Sequence, residues 1–202
     1  MTAIIDYKMG NLHSVKNALD KLETECIITS NSKEIDKADR LILPGVGAFP
    51  DAMKILNESG LKDTILDNVK NRKPMLGICL GMQLLFERSY EFGKTDGLSL
   101  IPGEVVLIDA HGMKIPHIGW NSLEVHSVGD PLSGAVKEGD YVYFVHSYRA
   151  QTEKENILLS CTYGENIPAL VKSPMYNVWG AQFHPEKSHD VGLNILRRFA
   201  TL

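Results

Sequence analysis

Four short apolar runs in the first half of the chain, each followed by a segment of helical periodicity, constrain the fold more than any other feature. Residues 2–6 have strand length, and the segment after them carries Leu12, Val15, Ala18, Leu19 and Leu22 on one helical face. Residues 26–28 form a second strand, after which Asn31 and Glu34 have the spacing of a capping box for a short helix. Residues 40–43 form a third, stopped by Pro44-Gly45. Helical patterns then run through Ala52, Met53 and Leu56, and through Leu61, Ile65, Leu66 and Val69. Residues 75–78 form a fourth strand, leading into a helix that carries Met82, Leu85 and Phe86. Strand–helix alternation of this kind calls for a parallel sheet with helices on both faces. From 104 to 182 the runs are shorter, richer in Tyr, Val and Ile, and divided by turn residues such as Gly129-Asp130-Pro131, which favours antiparallel strands on the same core. A last helix follows Pro185, with Val191, Ile195, Leu196 and Phe199 on one face. The expected architecture is α/β: one domain over residues 1–202, its mostly parallel central sheet flanked by helices, with antiparallel strands added in the second half.

Composition removes several classes of function. The 202 residues are 44% hydrophobic and 23% charged, the soluble globular average. Lys+Arg 21 against Asp+Glu 25 gives a net charge of -4, which offers no footprint for nucleic acid. No stretch approaches the ~20 apolar residues of a membrane span, and no basic-then-apolar leader opens the chain. Cys26, Cys79 and Cys161 are an odd count without C-x-x-C spacing, so neither a disulfide framework nor a structural zinc site is expected. A reducing, cytoplasmic compartment is the expectation.

The chemistry concentrates in three segments. Gly77-Ile78-Cys79-Leu80-Gly81 lies where the fourth strand becomes a helix and is the thiol counterpart of the G-x-S-x-G nucleophile elbow. Its glycines tolerate a sharp turn, and a helix starting after Cys79 would aim N–H groups at the sulfur and favour thiolate. Cys26 and Cys161 lack flanking glycines and read as small apolar residues. A thiol nucleophile needs a base, and His184 in Gln182-Phe183-His184-Pro185-Glu186 is the best placed. Proline keeps the preceding residue extended, and in extended chain Glu186 lies on the same side as His184 and can orient its ring. A metal set of His184, Glu186 and His189 is the lesser reading, without H-x-x-x-H spacing to support it, and no metal or cofactor is expected. An acyl-transfer thiol also needs an oxyanion hole: Leu80 N–H by the elbow's geometry, and a second donor from the loop Pro44-Gly45-Val46-Gly47-Ala48. That loop lacks the third glycine of a dinucleotide fingerprint and the Walker lysine.

Taken together, Pro44-Gly45-Val46-Gly47, Gly77-Ile78-Cys79-Leu80-Gly81-Met82-Gln83 and Phe183-His184-Pro185-Glu186 resemble a class I (triad) glutamine amidotransferase across nearly the whole chain. Residues 5–11, 116–121 and 143–148 narrow the resemblance to the glutaminase subunits of imidazole glycerol phosphate synthases, with Lys8 standing where that family often has glycine. The resemblance implies that Cys79 attacks the side-chain amide of L-glutamine, with His184 as acid and base and Glu186 as its orienter. It implies Val46 and Leu80 as oxyanion donors, and Gly47, Gln83, Ser147 and Tyr148 as holders of the glutamine ends. It further implies a (β/α)₈-barrel cyclase partner that consumes the ammonia, met by Asn11, Trp120, Tyr143 and Lys187. A paralogous glutaminase for amidation in surface-sugar biosynthesis and a catalytically silent regulatory module are the alternatives.

Overall fold

Alternation along the first strand already shows how the layers are built. In the computed structural model, which describes residues 1–202, Ala3 and Ile5 of β1 (Thr2–Ile5) join one buried cluster and Ile4 joins the other. Side chains two apart share a face, so the sheet carries apolar layers on both sides. One layer receives Ile35 of α2 (Ser32–Lys37) and the apolar faces of α3 (Phe49–Glu58) and α4 (Leu61–Lys70). The other receives Val15, Ala18 and Leu19 of α1 (Leu12–Lys21) and Ile195, Leu196 and Phe199 of α6 (His189–Phe199).

β2 (Cys26–Thr29), β1, β3 (Arg40–Gly45), β4 (Met75–Cys79) and β14 (Val178–Ala181) lie side by side and parallel. β13 (Glu165–Lys172), β12 (Ile157–Tyr163) and β9 (Glu124–Val125) extend the sheet antiparallel, giving eight strands. The expected α/β sheet is therefore present, with two differences in its second half. β14 returns parallel to β4. The other late strands do not all join the main sheet. β8 (His117–Ser122) pairs with β10 (Tyr141–His146) alone, while β5 (Arg88–Ser89), β6 (Thr95–Asp96), β7 (Glu104–Leu107) and β11 (Tyr148–Gln151) form a third sheet.

The capping box at α2 is half made. Asn31 accepts from Lys33 N–H at 2.9 Å, but Glu34 turns to the Thr29 hydroxyl instead of the Asn31 backbone, whose N–H bonds that same hydroxyl. No helix is long and apolar enough to cross a membrane.

Candidate active site

β3, β4 and β14 are adjacent, and their carboxyl ends meet at one edge, with Gly45 opposite Cys79 and Ala181 opposite Ile78. Ligands of open α/β sheets bind at such an edge. The chain turns there so sharply that Cys79 takes φ 55 and ψ -112, a conformation that costs a non-glycine residue about 1–3 kcal/mol. The flanking glycines make the turn possible through close approach. A Cβ on Gly81 would stand 1.8 Å from the Leu43 carbonyl oxygen, and one on Gly77 would stand 2.6 Å from that of Gly81. The helix expected after the elbow is one turn, α5 (Leu80–Gln83). It stops because the carbonyls of Leu84, Leu85, Phe86 and Glu87 are taken by N–H groups of residues 97–101. The helix dipole expected at the sulfur is thus only that of local N–H groups.

After β14 the chain runs to His184, whose N–H donates to the Tyr143 carbonyl at 3.0 Å. The buried Ser188 hydroxyl donates to the His184 carbonyl at 2.6 Å and accepts from Tyr143 N–H at 3.0 Å. His184 is extended, as its following proline demands, but residues Pro185–Lys187 form a 3₁₀ turn. The turn, not strand alternation, brings Glu186 Oε1 to 2.8 Å from His184 Nδ1. Both side chains are almost fully buried, at 3% and 1% exposure. Burial opposes charge on the ring, but the Cys79 sulfur and the Glu186 carboxylate outweigh it and push the imidazole up to about 9. His184 Nε2 is buried and makes no hydrogen bond of standard geometry, a looseness common in such pairs before substrate arrives.

Cys79 and His184 open on one cavity of about 280 Å³. Val46, Gly47, Leu80, Gln83, Ser147 and Tyr148 line it as well. A thiol, a charged imidazole on a buried carboxylate and main chain from two glycine-bearing loops can together carry out acyl transfer. The larger cavity, about 640 Å³ beside Arg149 and Glu165, has no cysteine in its lining.

Residues 3–201 match the family model for class I glutamine amidotransferases. The chain belongs to the class I glutamine amidotransferase family. It is 51% identical to the imidazole glycerol phosphate synthase subunit HisH of Halalkalibacterium halodurans, over 100% of this chain and 96% of the relative. Identity to the subunit of the same name from Aquifex aeolicus is 50%, over 98% and 95% of the two chains. Among solved structures, PurLQS from Thermotoga maritima superposes with a TM-score of 0.79 at 19% identity, covering 99% of this chain and 97% of that one. The glutaminase domain of Trypanosoma brucei CTPS gives 0.61 at 14%, covering 99% and 93%. At those identities the two structures speak to the fold alone.

Within this amidotransferase the other residues singled out from sequence fall in two groups. Gln83, expected to grip substrate, spends both amide hydrogens on the Tyr148 carbonyl at 2.9 Å and on Gln182 Oε1 at 3.0 Å, which leaves its own oxygen for a ligand. The outer residues lie away from the cavity lining. Asn11 and Lys187 are exposed, Tyr143 is half-buried, and Trp120 is 45% exposed. Three of these cluster, with Trp120 edge-on to Tyr143 at 6.0 Å and Lys187 Nζ 5.9 Å above the Tyr143 ring. His189, the third member of the metal set considered above, stacks on Trp120 at 4.9 Å. Lys8 adopts φ 69, the left-handed conformation that suits glycine, and is held there by its N–H and ammonium on Asp6 at 2.9 and 3.1 Å. Sequence reasoning missed Glu91, Pro116, Val145 and His146, all of which line the cavity. Glu91 accepts from Phe49 N–H at 2.8 Å, and burial raises its carboxyl. Pro116, Val145 and His146 belong to segments already conspicuous in sequence, whereas nothing local marks Glu91.

Proposed function

We propose that this chain is the glutaminase subunit of an imidazole glycerol phosphate synthase, hydrolysing L-glutamine and passing ammonia to a cyclase in histidine biosynthesis. The observation that carries the reading is the Cys79 thiol and the Glu186-bound His184 ring on one cavity of amino-acid size. In that reading the Cys79 sulfur attacks the amide carbon of glutamine and the carbonyl π electrons move onto oxygen. Leu80 and Val46 N–H groups stabilise that oxyanion. His184 gives its proton to the departing nitrogen, and collapse expels ammonia and leaves a γ-glutamyl thioester. The now neutral ring takes a proton from water, hydroxide adds to the thioester, and the sulfur leaves to release glutamate. Glu186 keeps the Nδ1 proton in place throughout, so that Nε2 faces the reaction.

The substrate's α-ammonium finds acceptors in Gln83 Oε1 and the Glu91 carboxylate, and its carboxylate finds donors in Gly47, Ser147 and Tyr148. Ammonia is lost to protonation in bulk water, so the reading includes a (β/α)₈-barrel cyclase seated on Asn11, Trp120, Tyr143 and Lys187. It also includes one domain over residues 1–202 and a cytoplasmic setting. The test is co-purification with the cyclase followed by a glutamine-dependent synthase assay. Turnover of glutamine coupled to product formation is expected. A complex that makes product from ammonium salts alone would overturn the reading.

A further inference from the structure

One wall of the cavity is backed by a polar chain that the hydrolytic steps leave unused. His117, at the start of β8, and His146, at the end of β10, face each other across the antiparallel ladder and are 2% and 6% exposed. His117 Nδ1 lies 3.1 Å from His146 Nε2, and His146 Nδ1 lies 2.9 Å from the Tyr148 carbonyl oxygen. On the other side, Asn121 Nδ2 reaches His117 Nε2 at 3.4 Å and the Thr162 carbonyl at 2.9 Å.

The end of this chain dictates its direction. A carbonyl only accepts, so His146 must hold a proton on Nδ1, and its neutral ring then presents Nε2 as a lone pair. His117 must then donate from Nδ1, which leaves its Nε2 to accept from Asn121. This pattern requires both rings to be neutral. Burial holds His117 down to about 4 and His146 down to about 3, the latter despite the Tyr148 carbonyl that favours its charge. Stacking fixes the His117 ring between Phe144 at 4.8 Å and Tyr163 at 4.0 Å.

The carbonyl on which the chain ends also accepts from Gln83 at 2.9 Å, and the neighbouring Ser147 carbonyl accepts from Ile108 N–H at 3.0 Å. Peptide planes are rigid, so pinning these two carbonyls also fixes the N–H groups of Tyr148 and Arg149. Two apolar residues could fill the volume of the imidazoles, but they would leave one acceptor site of the Tyr148 carbonyl buried and empty.

We propose that Asn121, His117 and His146 are positioning residues for the amino-acid substrate, a one-way hydrogen-bond chain that sets the Ser147–Tyr148 wall of the cavity. The inference rests on the glutaminase reading, and its tests separate the two. In the complex with the cyclase, His117→Leu should raise KM for glutamine about tenfold, or about 1.4 kcal/mol, while kcat stays within about threefold. His117→Asn, which keeps a donor near the Nδ1 position, should recover most of the loss. Nitrogen-15 NMR of the wild-type chain should show both rings neutral, with protons on Nδ1, between about pH 6 and 8. A His117→Leu enzyme with unchanged KM, or with kcat lowered as much as kcat/KM, would overturn the proposal. So would a proton on Nε2 of His146, a result that stands even if the leucine variant fails to fold. A wild-type complex without glutaminase activity would instead refute the functional reading and leave the tautomer measurement intact.

Discussion

Three thiols share this chain, and their surroundings separate them. Cys161 is fully buried in β12, where burial and then Glu124 push its thiol up to about 12. Cys26 is half-buried on β2 beside Asp20, and burial raises it too. Cys79 is the thiol on the 280 Å³ cavity. A glutamine-like diazo-ketone should therefore add once per chain, at Cys79, and peptide mass spectrometry reads the position; an adduct on either other cysteine refutes the assignment. His184→Ala should lower turnover by at least about 10²-fold, and Glu186→Gln by less, because the second change removes orientation and leaves the base. Wild-type rates in both variants would dismiss the triad. The His184–Glu186 pair also makes stability depend on pH in a defined direction. The folded-state pKa of the His184 ring, raised against burial to about 9 by the Cys79 sulfur and the Glu186 carboxylate, exceeds the ordinary 6.5, so the contribution of its charge is complete below about pH 6.5 and is lost as pH rises through about 9. Urea unfolding should show Glu186→Gln furthest below wild type near pH 6, with the gap closing by about pH 10. Cys79, His184 and Glu186 were legible because each sits in a short motif whose backbone demands are local. Glu91 was not, because its place in the cavity depends on its bond to Phe49 N–H, 42 residues away in sequence.

At the level of elements, legibility followed burial. β1, β3 and β4 are covered on both faces, so each reads as a continuous apolar run. The length of α5 could not be read, because it ends where residues 97–101 claim the carbonyls of the residues that follow it, and that segment has no periodicity of its own. The separation of β8–β10 from the main sheet is likewise a matter of pairing at a distance. The elbow itself makes a sharp demand on sequence. Gly81→Ala should cost about 4 kcal/mol or more, since the new methyl meets backbone that cannot retreat. Gly129→Ala has open space and no positive φ, and should stay within about 0.5 kcal/mol of wild type. Denaturant midpoints of the pair decide it: an unperturbed Gly81→Ala protein would contradict the close packing beneath Cys79.

For the molecule as a whole, the exposed apolar side chains Ile118, Trp120 and Tyr141 gather on the small β8–β10 sheet, and Val46 stands exposed at the cavity. If the cyclase docks there, Trp120→Ala and Lys187→Ala should depress synthesis with glutamine while synthesis from added ammonium survives. Full glutamine-dependent activity in both variants would refute the docking surface. If Val46 N–H is an oxyanion donor, its loop also gives such a partner a lever, since one donor gained or lost is worth about 10²–10³ in rate. The isolated subunit should accordingly turn over glutamine more slowly than the complex, and equal rates would sink that coupling. The backbone at Cys79 bears on the history of such a chain as well as on its chemistry. Glycine accepts φ 55 and ψ -112 freely, whereas cysteine and alanine do not, so Cys79→Gly should melt above Cys79→Ala in calorimetry. On the glutaminase reading, the nucleophile is then a stability burden carried for the need to make ammonia. A lineage released from that need has a downhill route to a sturdier, inert descendant through a single codon.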